Sequence, residues 1–302
     1  MTDLAGRVAI VTGAGKSLGR AYALGLAAQG AAVVVNNRRH PGERTEDTSA
    51  AQVVAAIRAQ GGRAVANYDE VEQATAGDAM VKAALDSFGR LDIVIANAAV
   101  PQAAAFHKTS AEEFRTIFDV GFYGTLHLLQ AAWPIMRENG YGRIVTTTSS
   151  AGRFGNHGLT AYGAAKGAIE SLTRSLAAEG ASRGIKANAI SPYALSQMTS
   201  GYLSGDMAER FSPEQVVPMV LWLASEACTA NGEVIIAGGG HFRRGFPVET
   251  TSAPGTGKTM ADVFDEIRDR EGVAYTSSNA AFDGLLKDMN LSAADARKKS
   301  AT

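Results

Sequence analysis

The chain has 302 residues, 46% of them apolar, and a formal net charge of −1. That is enough to bury the core of one large domain or two ordinary ones, and it leaves no electrostatic footprint for nucleic acid or an anionic membrane. The N-terminus lacks a charged leader followed by a long apolar stretch, no run approaches the roughly 18 apolar residues of a membrane span, and the one cysteine, Cys228, admits no intrachain disulfide, so a cytoplasmic location is expected.

In chain order, residues 7–11 form a short β-branched run, followed by Thr12-Gly13-Ala14-Gly15-Lys16-Ser17-Leu18-Gly19 and a helical pattern to about residue 29. Strand, glycine-rich turn and helix together aim backbone N–H groups and a helix N-terminus at a pyrophosphate. Gly13, Gly15, Lys16, Ser17, Leu18 and Gly19 are therefore candidates for cofactor contact. The same pattern could be a tight turn without a ligand. Gly15-Lys16-Ser17 and Gly257-Lys258-Thr259 look like the ends of P-loops, but Ile10 and Ser252 stand where the earlier glycine is required.

Residues 32–36 read as the second strand. Asn37, Arg38 and Arg39 follow it, where an acidic residue would hold the ribose 2′-hydroxyl of NAD. Two arginines with the upstream Lys16 suit a 2′-phosphate instead, so NADP(H) is favoured, with NAD(H) as the alternative. A helix over 46–60, a strand over 63–67 ending near Asp69, a helix over 73–88 and a strand over 91–96 ending at Asn97-Ala98-Ala99 come next. Ser110 and Glu113 form a capping box for a long helical segment running towards residue 136, interrupted near Gly121 and Gly124. Strands over 143–147, 185–190 and 232–237 alternate with helices over 161–183 and 213–225. Strands that are apolar on both faces and alternate with helices predict an α/β fold with a doubly wound, parallel, seven-stranded sheet. Its ligands bind beyond the strand C-termini.

From residue 243 the composition changes. Residues 243–258 read as an extended connector, with helices over 260–270 and 280–289 and a frayed basic end. The expected division is a domain over 1–245 and an extension over 246–302 too short to hold its own core.

The chemistry centres on residues 147–166. Tyr162 and Lys166 lie four apart, on one face of a helix one turn apart. An ammonium beside a phenol favours the phenolate, and Ser149 at the strand exit can supply a hydroxyl to the same spot. Together they make a proton donor, its tuner and an anchor for a carbonyl. A lone Tyr and Lys at this spacing would more often be a surface pair. What lifts this one is its place after a strand and downstream of the glycine turn. The histidines show no metal-ligand spacing, and no metal is expected.

By these motifs the chain resembles a short-chain dehydrogenase/reductase over residues 4–246. More narrowly, it resembles the dehydrogenase unit of the peroxisomal multifunctional β-oxidation enzyme, a (3R)-hydroxyacyl-CoA dehydrogenase. GRAYALGLAAQGAAVVVN, GGRAVANYD, FGRLDIVIANAA, YGRIVTTTSSAGRFGNHG and VVPMVLWLASE carry the narrower likeness. The resemblance implies a Rossmann fold and assigns Tyr162 as general acid/base, Lys166 as its tuner and ribose ligand, and Ser149 as the group orienting the substrate. It places Gly13, Ser17 and Gly19 at the pyrophosphate, Asn97 near the adenosine ribose, Asp69 and Glu70 near the adenine, and Ile190 and Pro192 beside the nicotinamide. Ser196 or Thr199 falls near the carboxamide. It also implies a small-molecule substrate and a homodimer or homotetramer.

Three positions depart from the family pattern: Ser17 replaces the middle glycine, Gly121 an asparagine, and Tyr193 the glycine after Pro192. Phe154, His157, Tyr193 and Met198 are expected to line the substrate, and residues 200–211 occupy the variable lid. The expected activity interconverts a secondary alcohol and a ketone, with a 3-hydroxyacyl-CoA or a steroid-like compound as substrate. The competing reading is a cofactor-binding protein that acts by association.

Overall fold

The computed structural model describes residues 3–100, 104–195 and 205–291. In chain order the first elements are β1 (Val8–Val11), α1 (Ser17–Ala28), β2 (Ala32–Asn36), α2 (Ser49–Ala59), β3 (Arg63–Asn67), α3 (Ala76–Phe88) and β4 (Ile93–Ala96). Then come α4 (Ala111–Phe118), α5 (Gly124–Asn139), β5 (Gly142–Thr147), α6 (Ser150–Phe154), α7 (Thr160–Gly180), β6 (Ile185–Pro192), α8 (Asp206–Arg210), α9 (Val217–Leu223), β7 (Val234–Gly238) and β8 (His241–Gly245). One sheet has the order β3-β2-β1-β4-β5-β6-β7-β8, and its pairings from β3 through to β7 are all parallel.

Both faces of this sheet are covered, for a reason visible in the strands. Ala9 and Val11 of β1 point to one side with Val33, Val35, Ile93, Ile95 and Val145, against Tyr22, Leu26, Val53, Ile57 and Leu223. Val8, Ile10, Val34, Val94 and Ile144 point to the other, against Met80, Leu128, Leu129 and Met136. A strand buried on both faces cannot alternate apolar with polar residues. The strand order reverses direction between β1 and β4, and the crevice at that point opens beyond the strand C-termini.

The seven parallel strands are as expected, and an eighth is added. β8 follows a Gly239-Gly240 turn in which both residues have positive φ. Its side chains are mostly exposed and include Arg243 and Arg244, so its composition reads as connector. The long helical segment from Ser110, expected to be interrupted near Gly121 and Gly124, is α4, a π-helical turn over Asp119–Tyr123, and α5. The capping box is formed: Ser110 Oγ accepts from the Glu113 N–H at 3.1 Å, and the Glu113 carboxylate accepts from the Ser110 N–H at 2.8 Å.

The chain divides into two compact units, residues 1–244 and 245–302. In the second unit β9 (Val248–Thr250) pairs antiparallel with β10 (Gly272–Ala274), and α10 (Met260–Arg268) and α11 (Ser278–Asp288) supply its helices. Both strands are three residues long, too short to carry a pattern: β9 lies in the expected extended connector and β10 between the two expected helices. Among its described residues Leu286 is the one buried apolar side chain. Among the described residues of the whole chain, no helix is long and apolar enough to cross a membrane, and no group of three or more His, Cys, Asp or Glu could hold a metal ion.

Candidate active site

The strand ends build the site from three directions. After β1 the backbone turns at Gly13, with φ +61°. A Cβ there would sit 3.0 Å from the Ala98 Cα, and a Cβ on Gly19 would sit 2.1 Å from the Gly13 carbonyl oxygen. The turn, the start of α1 and the end of β4 are therefore in backbone contact, which only glycine permits. Thr12 ties them together. Its hydroxyl accepts from the Asn97 and Ala98 N–H groups at 3.0 and 3.1 Å, and Asn97 Nδ2 donates back to the Thr12 carbonyl at 3.1 Å. Lys16 at the N-cap of α1 makes no side-chain cap, and the first turn holds no acidic residue. Its N–H groups and positive dipole end suit an anion.

Ser17 adopts φ 45°, a conformation uncommon outside glycine. Its hydroxyl donates to the Leu195 carbonyl at 3.0 Å, so the side chain bridges to the exit of β6. The strain follows from putting a Cβ where the family pattern has none. Gly121 lies in the π-helical turn, and a Cβ there would meet Ala165 Cβ at 3.7 Å, an ordinary contact. Close helix approach therefore does not require a glycine at this position.

At the end of β2, Asn36 is buried. Its Nδ2 donates to Asn67 Oδ1 at 2.7 Å, and Asn67 Nδ2 donates to Asp69 Oδ2 at 2.6 Å. Asn37 Nδ2 donates to Ser49 Oγ at 3.0 Å, while Lys16, Arg38 and Arg39 are exposed. Asp69 and Glu70 are exposed beside them. The donor set at this end is amide and guanidinium, with no carboxylate at the tip of β2.

The third direction is α7. Tyr162 and Lys166 face the exit of β5 from one side of the helix. Ser149 caps α6, its Oγ accepting from the Ala151 N–H at 3.3 Å, and it also hydrogen-bonds the Tyr162 phenol. Lys166 is 2% exposed; its ammonium donates to the Thr147 carbonyl at 2.8 Å and lies 5.7 Å from the centroid of the Tyr162 ring. Burial pushes the phenol above its ordinary 10, and the Ser149 hydrogen bond offsets part of that rise. Burial pushes the Lys166 ammonium down to about 8. Lysine carries three donors, and among the described residues only one is used in a hydrogen bond. A ribose hydroxyl and a phenolate would take the others.

The groups fit a nicotinamide dinucleotide: free amides at a helix N-terminus for the pyrophosphate, a buried ammonium for the ribose, and a hydrogen-bonded phenol beside it. Pro192 is half-buried at the end of β6, next to these groups in the sheet. Of the substrate candidates, Phe154 is 82% exposed at the end of α6, Tyr193 is 42% exposed, and His157 is exposed in the following loop. Ser196 and Met198 lie outside the described residues. The residues missed from sequence are Thr12, Thr148 and Glu170. Thr148, 1% exposed, places its hydroxyl 3.0 Å from the Lys166 carbonyl and 3.0 Å from Glu170 Oε1. Glu170 could have been found by extending the Tyr162–Lys166 spacing by one more turn.

Residues 7–205 match the short chain dehydrogenase family. A Mycobacterium tuberculosis protein described as a short-chain type dehydrogenase/reductase is 45% identical over 246 residues, covering 81% of this chain and 86% of that protein. The peroxisomal multifunctional enzyme type 2 of Mus musculus is 42% identical over 273 residues, covering 87% of this chain but 37% of that enzyme. The chain thus spans little more than a third of the mouse protein. Among solved structures, 7α-hydroxysteroid dehydrogenase complexed with NADH and 7-oxo glycochenodeoxycholic acid is similar, with a TM-score of 0.71 and 28% identity, covering 79% of this chain and 95% of that one.

Proposed function

The chain belongs to the short-chain dehydrogenase family, and from that premise we propose that it interconverts a secondary alcohol and a ketone with Ser149, Tyr162 and Lys166 as its catalytic residues. The observation that carries this reading is the Ser149–Tyr162 hydrogen bond with the Lys166 ammonium on the same face of α7, 5.7 Å from the phenol ring. A nicotinamide cofactor, when bound, supplies the hydride acceptor or donor. Gly13, Gly19, the first turn of α1, Asn97 and Lys166 hold it. Tyr162 passes a proton between its phenol oxygen and the substrate oxygen. Ser149 holds that oxygen by a hydrogen bond, and Lys166, while charged, favours the phenolate through the low-dielectric interior.

Tyr162→Phe tests the reading. Turnover should fall by about 10²-fold or more, the span of general acid–base catalysis, while cofactor affinity persists. The competing reading, association without efficient catalysis, draws on Ser17, Gly121 and Tyr193; unchanged turnover in Tyr162→Phe would favour it. For the cofactor we favour NADP(H). Exposed Lys16, Arg38 and Arg39, and Asn37 in place of a carboxylate, support this choice. Fluorescence titration with NADPH and NADH decides it, and tighter NADH binding refutes it.

The substrate class rests on similarity to the multifunctional peroxisomal enzymes and the hydroxysteroid dehydrogenase. It is a 3-hydroxyacyl-CoA or a steroid-like alcohol, screened through the absorbance of the reduced cofactor. A homo-oligomer is also proposed. The ring ladder Phe114–Phe118–Phe122, with centroids 5.4 and 6.3 Å apart, is half-exposed along α4 and the π-helical turn after it, and supports it. Light scattering that returned a monomer would remove that proposal.

A further inference from the structure

Tyr162, Lys166, Glu170 and Arg174 recur every fourth residue along α7, so one stripe of the helix carries phenol, ammonium, carboxylate and guanidinium in turn. Glu170 is 4% exposed. Its Oε1 lies 3.2 Å from Arg153 Nε and its Oε2 lies 3.3 Å from Arg174 Nη2. Arg153 Nη2 donates to Ser191 Oγ at 2.8 Å. The Thr148 hydroxyl is shared between Glu170 Oε1 and the Lys166 carbonyl, each at 3.0 Å.

Each anchor of this buried network adjoins a residue of the candidate site. Thr148 precedes Ser149, Arg153 lies on the helix that Ser149 caps, Glu170 is one turn beyond Lys166, and Ser191 precedes Pro192. The exit of β5 is gripped at two successive residues. Lys166 Nζ donates to the Thr147 carbonyl at 2.8 Å, and Thr148 contacts the carbonyl of the same lysine. Packing alone could hold α6 and α7 together, and burying ions to do so costs desolvation. What an ion network adds is a single geometry, and a misplacement of about 1 Å at a reacting group can cost on the order of 10²-fold in rate.

We propose that Glu170, acting through Thr148 and Arg153, is a positioning residue that locks the lysine-bearing turn of α7 to the serine-bearing exit of β5 and to β6. This rests on the reading of Ser149, Tyr162 and Lys166 as catalytic. The Glu170 carboxylate pairs ionically with Arg153 and Arg174 and accepts a hydrogen bond from the Thr148 hydroxyl. Thr148 then fixes where Ser149 leaves the sheet relative to Lys166.

The test compares Thr148→Val, Thr148→Ser, Glu170→Gln and the double variant Thr148→Val/Glu170→Gln, with a 3-hydroxyacyl-CoA thioester and oxidised cofactor. Thr148→Val leaves both arginines paired and keeps the test open if Glu170→Gln does not fold. Expected are a fall in kcat of about tenfold in each folded single variant, the worth of about 1.4 kcal/mol, and KM and cofactor affinity within about threefold of wild type. Thr148→Ser should restore kcat. The double variant should lose no more than the worse single one, because both act in one chain of contacts. Hydrogen exchange of the segment Ser149–Phe154, which needs no substrate, should quicken in Thr148→Val and not in Thr148→Ser. Wild-type kcat in folded Thr148→Val, failure of serine to rescue, additive losses, or unchanged exchange would each overturn the proposal. Loss of turnover in Tyr162→Phe together with wild-type kcat in Thr148→Val would remove this inference alone. Retained turnover in Tyr162→Phe would remove the reading beneath it.

Discussion

Replacing Lys166 by methionine should stabilise the cofactor-free protein at neutral pH while abolishing turnover. The ammonium is 2% exposed and burial lowers it from the ordinary 10.5 to about 8. At about 1.4 kcal/mol for each factor of ten, holding it charged costs the folded state about 3 kcal/mol. Methionine forfeits the hydrogen bond to the Thr147 carbonyl, a loss of about 1 kcal/mol, so the net gain is about 2 kcal/mol. For a domain of this size that raises the melting midpoint by roughly 4–8 °C. The sign with pH follows from linkage. Below pH 8 the lysine is protonated folded and unfolded, and the full cost is present. Between 8 and 10.5 the unfolded chain binds the extra proton, so wild-type stability rises relative to the variant. Above 10.5 both states are neutral and the cost is gone. Melts of wild type and Lys166→Met at pH 7, 9 and 10.5 should therefore show a gap that narrows as pH rises. A variant less stable than wild type at pH 7, or a gap that does not change with pH, would refute the assignment of the low value to burial.

Three further outcomes follow from packing. Asp92 is fully buried and holds Arg7 at 3.0 Å, Arg90 at 2.6 Å and the Val8 N–H at 2.9 Å. Asp92→Asn should cost about 2 kcal/mol, because Arg90 loses its carboxylate and the Val8 N–H and Arg7 lose a charged acceptor, although Arg7 keeps Glu226 at 3.0 Å, read as a lower denaturant midpoint. Ser17→Gly should be near neutral in stability, since relief of the strain at φ 45° offsets a lost hydrogen bond of about 1 kcal/mol. Ser17→Ala, which loses the same hydrogen bond but keeps the strain, should be the less stable of the two; the opposite order would show that the φ 45° backbone carries no strain. Gly19→Ala puts a Cβ 2.1 Å from the Gly13 carbonyl oxygen, and reduced-cofactor fluorescence should show an affinity loss of at least about tenfold, roughly 1.4 kcal/mol.

The parts of this molecule that could be read from sequence are those governed by local rules. Runs such as 8–11 and 32–35, apolar at every position, point to central strands in a covered parallel sheet. Gly13 and Gly19 mark where backbone must touch backbone. The i, i+4 spacing of Tyr162 and Lys166 survives into the structure because a helix has one period. What could not be read depends on neighbours distant in sequence. β8 is charged and exposed, and pairs only because the Gly239-Gly240 turn returns it to the sheet edge. The Ser17 hydroxyl could as well have crowded a phosphate; its partner is Leu195, 178 residues away. The direction of the phenol's shift also escaped a spacing argument. Proximity to an ammonium predicts a fall, but burial of the pair is set by β5, α6 and α7 together and raises it.

These opposing effects show where the cost of the site lies. A lysine that tunes a phenol must be charged, and a charged lysine in a closed interior is destabilised by the same burial that strengthens its field. Among the described residues, no carboxylate pairs with Lys166 to relieve this. The nearest acid on the stripe, Glu170, is one turn further on and is committed to Arg153 and Arg174. An anion directly at the ammonium would neutralise its field where the phenol needs it, whereas a carboxylate one turn away can hold the helix without cancelling the charge. Glu170 and the depressed lysine thus belong to one arrangement, in which geometry is secured by ions set back from the reacting groups and the ammonium, among the described residues, donates one hydrogen bond, to the Thr147 carbonyl.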